Sequence, residues 1–276
     1  VQFLVADGDF QVPKYDLKSF RRDIMPVSRS RTDYEVLSRH ADANGRVSVR
    51  SLVTMLFDAA DVHASKWRVS LGQLANTDHT WVLSRLHLRL ERQPAWDEPV
   101  TVETWPTGAK RILAGRDFRI RSEGQPIGVA TTLWLMISRS SRRPVPLPDF
   151  VQQFEPPQGS PVVHPPRNWP PPAKSTEVAL VERSVRWTDL DLNRHATSTA
   201  YLDWLLGPLP ADVPESSHLT ELDILFKGES FLQDQIRIMI SELQEDPAEE
   251  VRAFSHSVTR SKDDALLAAA RSKWMM

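Results

Sequence analysis

The sequence repeats one pattern, and this duplication constrains the fold more than any other feature. Both halves contain a polar segment, then a helical pattern, then alternating strand-like residues that end near a tryptophan. Matched positions keep their order and are separated by 149, about 136 and 140 residues: Asp42 and Asp191, Leu83 and Leu219, and Trp134 and Trp274. Ordered matches at similar offsets predict two copies of one structural unit.

Proline marks the boundary between the two copies. Eleven of the 21 prolines lie between Pro144 and Pro172, and such a stretch favours extended, stiff backbone. We therefore predict an N-terminal unit over residues 18–143, a proline-rich linker over 144–178 and a C-terminal unit over 179–276.

Each copy is predicted to contain one helix and several strands. Val47–Ala64 carries apolar residues at i, i+3 and i+4 spacing, and Thr197–Leu206 repeats this pattern more weakly. Apolar and polar residues alternate at Leu86–Leu90 and at Ile236–Ile240, as in strands with one exposed face. The pattern predicts an α+β fold in which each unit has a long helix wrapped by a curved antiparallel sheet.

The composition excludes several function classes. The chain has no cysteine, which excludes disulfide scaffolds, thiolate metal sites and cysteine nucleophiles. A net charge of −2 argues against a dedicated nucleic-acid binder, and no apolar run approaches the ~18 residues of a membrane span. Glycine-rich phosphate loops, GxSxG and HExxH are absent, so we expect no cofactor and no metal. Val1–Tyr15 lacks the order of a signal peptide, which predicts an intracellular protein.

The densest polar cluster precedes the second helical pattern. Asp191, Asn193 and His195 alternate, so in an extended segment their side chains point to one face. Thr197 or Ser198 is placed to cap the helix, whose first N–H groups suit a developing oxyanion. Two interpretations fit this spacing equally: a catalytic group at the positive end of a helix, or a capping loop with Asp and Asn as turn formers.

Glu229 is a second candidate, in the segment FKGES that ends a strand pattern. A glutamate there is either a functional group on a bulge or a surface charge, and the residue pattern alone favours the surface charge. The first copy has Arg46 in place of His195 and Gln93 at about the position of Glu229. This asymmetry is expected if only the second unit kept a site.

At these residues the sequence resembles the acyl-acyl-carrier-protein thioesterases, the family of the plant chain-terminating enzymes and their bacterial relatives. The resemblance runs from about Phe20 to the end and is carried by TWVLSRLHLRLERQPAWDEPVTVETWPTG, GRDFRI, ATTLWLMISRSSRRPVPLP, TDLDLNRHATSTAYLDWLL and ELDILFKGES. It implies a tandem double hotdog, that is, two hotdog units in one chain. It also implies hydrolysis of fatty acyl-acyl carrier protein, which releases free fatty acid and terminates chain elongation.

The resemblance implies roles for single residues. The family's Asp-x-Asn-x-His motif falls on Asp191, Asn193 and His195, and its catalytic glutamate falls on Glu229. On this hypothesis Glu229 activates the attacking water, and Asn193 orients the water or the carbonyl. His195 hydrogen-bonds the water or protonates the leaving thiolate, and Asp191 fixes His195 or the loop. Whether Glu229 or His195 is the principal base stays open.

Two positions depart from the family pattern. Ser230 follows the glutamate where plant members often have cysteine, so a thiol-based mechanism does not apply to this chain. His195 is followed by Ala-Thr-Ser where the family usually continues Val-Asn-Asn. The Ala-Thr-Ser segment still provides a helix cap. We expect its contacts with substrate to differ from those of the usual family segment.

An acyl chain needs an apolar slot, which we expect the N-terminal unit to supply. The predicted lining residues, for each of which plain core packing is the simpler explanation, are Met55, Leu56, Ala59, Trp81 and Val82. Carrier proteins are acidic, so a basic patch is expected to guide docking. The candidate clusters are Lys110, Arg111 and Arg116, and Arg139, Arg142 and Arg143.

Other functions compatible with these residues are an acyl-CoA thioesterase, a hotdog dehydratase and a non-catalytic acyl-binding hotdog protein. The expected partners are the acyl carrier protein and the fatty acyl thioester, with no nucleic acid and no membrane. We expect a monomer or a homodimer. The expected location is the bacterial cytoplasm, with the plastid stroma as the alternative.

Overall fold

The described residues form one antiparallel sheet of ten strands. The computed structural model describes residues 29–74, 77–110, 112–147, 151, 175–244 and 250–276. Residues 18–28 and most of the predicted linker lie outside these ranges. The strands are β1 (Ser30–Tyr34), β2 (His79–Leu90), β3 (Val100–Lys110), β4 (Leu113–Ser122), β5 (Gln125–Ser138), β6 (Ser175–Ser184), β7 (His218–Phe226), β8 (Gln235–Leu243), β9 (Val251–Arg260) and β10 (Ala265–Met275).

The sheet displays the duplication directly. Its strand order is β1-β3-β4-β5-β2-β7-β10-β9-β8-β6, so each half has the same order read from opposite edges, and β2 pairs with β7 at the junction. Trp134 lies opposite Leu83, and Trp274 lies opposite Leu219. Each indole N–H donates to the hydroxyl two residues earlier, at 2.8 Å in the first half and 2.9 Å in the second. Sequence offsets, strand register and side-chain contacts therefore agree on one repeated unit.

Two helices pack on the sheet, and they differ in length. α1 (Val49–Lys66) has 18 residues and is capped by Ser48, whose side chain accepts from the Ser51 N–H. After the short α2 (Leu71–Leu74), the equivalent helix is α3 (Ser198–Leu206), which Thr197 caps in the same way. Ser and Thr are favoured at this position because their side-chain oxygen accepts a hydrogen bond from an N–H group that has no acceptor within the helix.

The prediction of a long helix in each unit is wrong for the second unit. α3 has nine residues, half the length of α1. It ends at Leu206 and is followed by Gly207 as the C-cap. The next residues, 208–210, include two prolines and do not continue the helix, because proline lacks the N–H that the next turn needs. A further short helix, α4 (Asp212–Ser216), precedes β7.

One hydrophobic core runs through both halves. It contains Leu88 of β2 and Leu222 of β7, together with Leu56 of α1 and Trp204 of α3. On the opposite face of the junction, Arg85 and Asp223 form a buried bidentate pair, with N···O distances of 2.8 and 2.5 Å. In the ranges listed above, no helix is long and apolar enough to cross a membrane.

Candidate active site

The segment before α3 is a loop held by one carboxylate. Asp191 accepts hydrogen bonds from the backbone N–H groups of Asn193 (2.7 Å) and His195 (3.2 Å), and from the Asn193 amide group (3.3 Å). Arg194 takes the left-handed conformation, with φ of 61°, that closes this turn. Asp191 therefore holds the backbone of the loop. Its two predicted roles are to fix His195 or to fix the loop, and these contacts match the second.

Glu229 lies beside this loop, directly after β7. The Ala196 N–H donates to the Ser230 carbonyl (2.9 Å), which joins the two segments as neighbouring strands do. His195 Nδ1 then lies 3.4 Å from Glu229 Oε1, and the ring of Phe231 packs edge-on against the imidazole at 4.9 Å. The structure thus brings Asp191, Asn193, His195 and Glu229 together on one cavity wall.

Arg142 completes the group from the N-terminal half. Its Nη2 donates to Glu229 Oε2 and lies 3.5 Å from His195 Nε2. Arg142 belongs to one of the predicted basic docking clusters, and that prediction does not connect it with Glu229. No sequence signal links the two residues, because they are 87 positions apart and belong to different copies of the unit.

Ser230 faces away from this group. Its side chain is fully buried, and its hydroxyl lies 3.0 Å from the hydroxyl of Tyr201 on α3. Tyr201 also donates to the Gly228 carbonyl (3.2 Å), and burial raises its pKa to about 12, so it stays protonated at neutral pH. The Ser230 hydroxyl is therefore part of the structure around α3.

A cavity of about 590 Å³ extends from this group into the N-terminal half. Trp81 and Val82 lie on its wall, as predicted. α1 contributes a different stripe from the predicted one, namely Phe57, Ala60, Asp61 and Ala64. Met55, Leu56 and Ala59 are buried in the hydrophobic core instead, because they lie on the part of the helix that faces the sheet interior. Two of the five predicted lining residues, Trp81 and Val82, therefore lie on the cavity wall.

The prediction that Arg116 belongs to a basic docking patch is wrong. Arg116 is buried, it lines the cavity, and Nη1 makes 3.1 Å contacts with His63 Nδ1 and Thr104 Oγ1. Burial lowers the pKa of Arg116 to about 10, which leaves it a cation at neutral pH. It therefore presents no surface charge to a docking partner. The Lys110 side chain and Arg111 lie outside the described residues.

The N-terminal copy keeps the loop but has different side chains at the positions of His195 and Glu229. Asp42 accepts from the N–H groups of Asn44 (2.9 Å) and Arg46 (3.0 Å), and Gly45 takes the left-handed position, with φ of 71°. The Arg46 side chain, at the position of His195, donates to the Ser217 and Pro214 carbonyls (2.8 and 2.7 Å). The segment before β7 therefore contacts the first loop at the position where the second loop has His195.

Gln93 is the counterpart of Glu229 in the first copy. Arg46 bridges to Ala95 as His195 bridges to Phe231, so the offset of 136 residues also joins Gln93 to Glu229. The Gln93 amide group is buried and donates to the Val47 carbonyl (3.0 Å). The first copy therefore uses these positions for internal contacts.

The first turn of α3 borders the cavity. Ser198 and Thr199 line it, and N–H groups in a first helical turn have no helical acceptor. His195 and Glu229 line the same cavity, and the positive end of a helix suits an oxygen that gains negative charge. Among the described residues, no group of three or more His, Asp or Glu has the arrangement of a metal site.

Comparison with known proteins gives a consistent result. The model of the acyl-ACP thioesterase N-terminal domain matches residues 28–154, and that of the C-terminal domain matches residues 173–276. A chloroplastic acyl-[acyl-carrier-protein] hydrolase of Cuphea viscosissima is 26% identical over 94% of this chain and 67% of its own length. The chain spans about two thirds of the length of such curated plant relatives, between 65 and 67%.

Solved structures share the fold. An acyl-ACP thioesterase from Bacteroides thetaiotaomicron superposes with a TM-score of 0.75 at 22% identity, over 90% of this chain and 98% of that chain. A putative oleoyl thioesterase from Lactobacillus plantarum gives a TM-score of 0.78 at 23% identity, over 90% and 96% of the two chains. The antiparallel sheet with few helices is therefore shared with these proteins.

Proposed function

The chain belongs to the acyl-acyl-carrier-protein thioesterase family, and from this premise we propose that it hydrolyses the thioester of a fatty acyl-acyl carrier protein. The reaction releases free fatty acid and so terminates chain elongation. The observation that carries the proposal is the pairing of His195 with Glu229 at the cavity. The first copy, which has Arg46 and Gln93 at these positions, serves as an internal contrast.

We assign the two copies to a tandem double hotdog, with an N-terminal unit over residues 18–143 and a C-terminal unit over 179–276, joined by a linker over 144–178. The repeated strand order and the equivalent helices support this assignment. In this arrangement the N-terminal unit holds the acyl chain, because the cavity is lined by its Trp81, Val82 and Phe57. The C-terminal unit supplies the catalytic residues.

The chemistry follows from the contacts of the loop. Glu229 takes a proton from a water molecule whose oxygen bonds to the thioester carbonyl carbon. Asn193 orients that water, while the N–H groups of Ser198 and Thr199 stabilise the oxyanion. The carbon–sulfur bond then breaks, and the carrier-bound thiolate receives a proton from His195. Glu229, which lies 3.4 Å from His195 Nδ1, passes the proton that it took from the water to His195, so both groups return to their starting states. Asp191 holds the loop in the geometry that these reaction steps require.

Direct nucleophilic attack by Ser230 does not fit these contacts. A serine nucleophile needs a base within hydrogen-bond reach and access to substrate. Ser230 is fully buried and its hydroxyl bonds to Tyr201. The structure therefore favours attack by water over a covalent acyl-enzyme.

The proposal is tested by thiol release from a panel of acyl-carrier-protein and acyl-CoA thioesters of varied chain length. A thiol-reactive dye gives a clean signal because the chain has no cysteine. We expect faster release from the carrier-protein series at matched chain length. Release from acyl-CoA alone moves the protein to CoA thioesters, and no release from either series from folded protein contradicts the proposed hydrolysis.

We also propose a monomeric enzyme, with a homodimer as the alternative that gel filtration with light scattering distinguishes. The two copies already complete one sheet together, which supports the monomer. The proposed location is a compartment that contains acyl carrier protein. This is the bacterial cytoplasm or the plastid stroma, and the chloroplastic plant relatives are consistent with the stroma.

A further inference from the structure

Glu229 is held from both halves of the molecule. Arg142 Nη2 donates to carboxylate oxygen Oε2, and His195 Nδ1 lies 3.4 Å from the other oxygen, Oε1. The guanidinium reaches the carboxylate from the turn after β5, whereas the imidazole reaches it from the loop before α3. The orientation of the carboxylate plane therefore depends on a contact between the two units.

The turn that carries Arg142 is built for one conformation. The Asp78 carboxylate accepts from the Ser138 hydroxyl (2.7 Å) and from the Ser140 N–H (2.8 Å), and the Arg142 N–H donates to the Ser138 carbonyl (2.9 Å). Arg142 itself has a φ of 58°, a left-handed conformation that a residue with a Cβ rarely adopts. The contacts of Asp78 and Ser138 hold the turn in this conformation.

Stability does not explain this contact. The Arg142 and Glu229 side chains are 40% and 31% exposed, and ion pairs at such exposure contribute little to folding. Arg142 contacts both the Glu229 carboxylate and the His195 imidazole, whereas an ordinary surface ion pair joins two charged groups only. The contact is therefore placed to affect the rate rather than the fold.

We propose that Arg142 is a positioning residue for Glu229, an inference that rests on the proposed thioester hydrolysis. Its guanidinium fixes the carboxylate plane so that Oε1 faces His195 and the attacking water. The catalytic group is then complete only when the turn of the N-terminal unit lies against the C-terminal unit. Lysine is a poor substitute because it offers a point charge without the planar fork of arginine.

The test compares Arg142→Met, Arg142→Lys and Arg142→Gly with a matched control. Arg92→Met removes an ion pair of similar exposure, since Arg92 (44% exposed) lies 2.8 Å from Glu98 outside the cavity. We measure kcat and KM on the acyl-carrier-protein thioester that the wild type turns over fastest. We expect kcat to fall about 10- to 100-fold in Arg142→Met with KM within about threefold, a smaller loss in Arg142→Lys, and no change in Arg92→Met.

Chemical rescue separates positioning from general structural damage. Millimolar guanidinium chloride is expected to restore part of kcat in Arg142→Gly, whereas urea at the same concentration is not, because only guanidinium replaces the missing group. A rise in KM for carrier-protein substrates with unchanged kcat would instead make Arg142 a docking residue and overturn the proposal. Rescue by urea, or equal losses in Arg92→Met, would overturn it too.

A readout independent of turnover keeps this inference distinct from the proposed function. NMR signals of the His195 ring are expected to shift in Arg142→Met and to stay unchanged in Arg92→Met, since Arg142 lies 3.5 Å from Nε2. Unchanged His195 signals in Arg142→Met contradict the contact itself. A wild type that hydrolyses thioesters alongside fully active Arg142 variants refutes only the positioning role.

Discussion

Replacing Asp191 and Asp42 by alanine separates loop stability from catalysis, because the two copies provide the same turn twice. Asp191 accepts from the N–H groups of Asn193 (2.7 Å) and His195 (3.2 Å), and Asp42 accepts from those of Asn44 (2.9 Å) and Arg46 (3.0 Å). Both substitutions remove two backbone hydrogen bonds; Asp191 also accepts from the Asn193 amide group (3.3 Å), and Asp42 lies 3.5 Å from Arg46 Nε. In the part of the chain that the structure describes, the second loop brings an imidazole and Glu229 to the cavity, whereas the first copy has Arg46 and Gln93 at these positions.

The expected loss of stability is similar for both variants. Hydrogen bonds to a charged acceptor contribute about 1.5–3 kcal/mol when buried, but these loops are partly exposed and the freed N–H groups bond to water. We therefore expect about 1–2 kcal/mol for each variant. For a chain of this length, that corresponds to a fall in Tm of about 2–4 °C, measured by circular dichroism.

The expected effects on activity differ. Asp191→Ala releases the loop that orients Asn193 and His195, and small displacements of catalytic groups cost up to ~100-fold in rate. We expect kcat/KM to fall about 10- to 100-fold in Asp191→Ala and to stay within about twofold in Asp42→Ala. Equal losses of activity in the two variants, or full activity in Asp191→Ala, would refute the assignment of catalysis to the second loop.

Two further predictions concern stability. His256 is buried, donates from Nδ1 to the Leu205 carbonyl (2.7 Å) and accepts from Ser272 (2.8 Å), and burial lowers its pKa to about 4. Between pH 6.5 and 4 the unfolded chain binds a proton at His256 that the folded chain excludes, so up to about 3 kcal/mol of stability present above pH 6.5 is lost. Urea unfolding across this range should show a shallower pH dependence in His256→Gln. The second prediction concerns the buried Arg85–Asp223 pair: Asp223→Ala leaves a buried guanidinium without its partner and should lower the free energy of unfolding by about 3–5 kcal/mol. The double variant Arg85→Met with Asp223→Leu removes both charges and should recover most of that free energy. An additive loss in the double variant would contradict this prediction.

The parts of the fold that could be predicted from the sequence are those with local signals. The Asp191 loop and the Thr197 cap follow from turn and capping preferences within a few residues, and the structure confirms both. The offset between the copies also matched the strand register, because a one-residue slip would turn apolar side chains out of the core. These signals do not depend on distant parts of the chain.

The parts that could not be predicted depend on tertiary contacts. The residue pattern at Glu229 favoured a surface charge, since the His195 partner is 34 positions away and only strand pairing brings it close. Arg142 is further still, in the other copy. On α1, helical periodicity identified an apolar face but did not distinguish the stripe that packs in the core, with Leu56, from the stripe that lines the cavity, with Phe57.

The most direct test of the account is the turnover of Glu229→Gln on acyl-carrier-protein thioester, measured by thiol release at saturating substrate. Glutamine keeps the size of the side chain but is not a base for water, and circular dichroism serves as the check on folding. The account predicts a loss in kcat of about 100-fold or more with the fold unchanged. Near-wild-type turnover in the folded variant would contradict the role of Glu229 as the base.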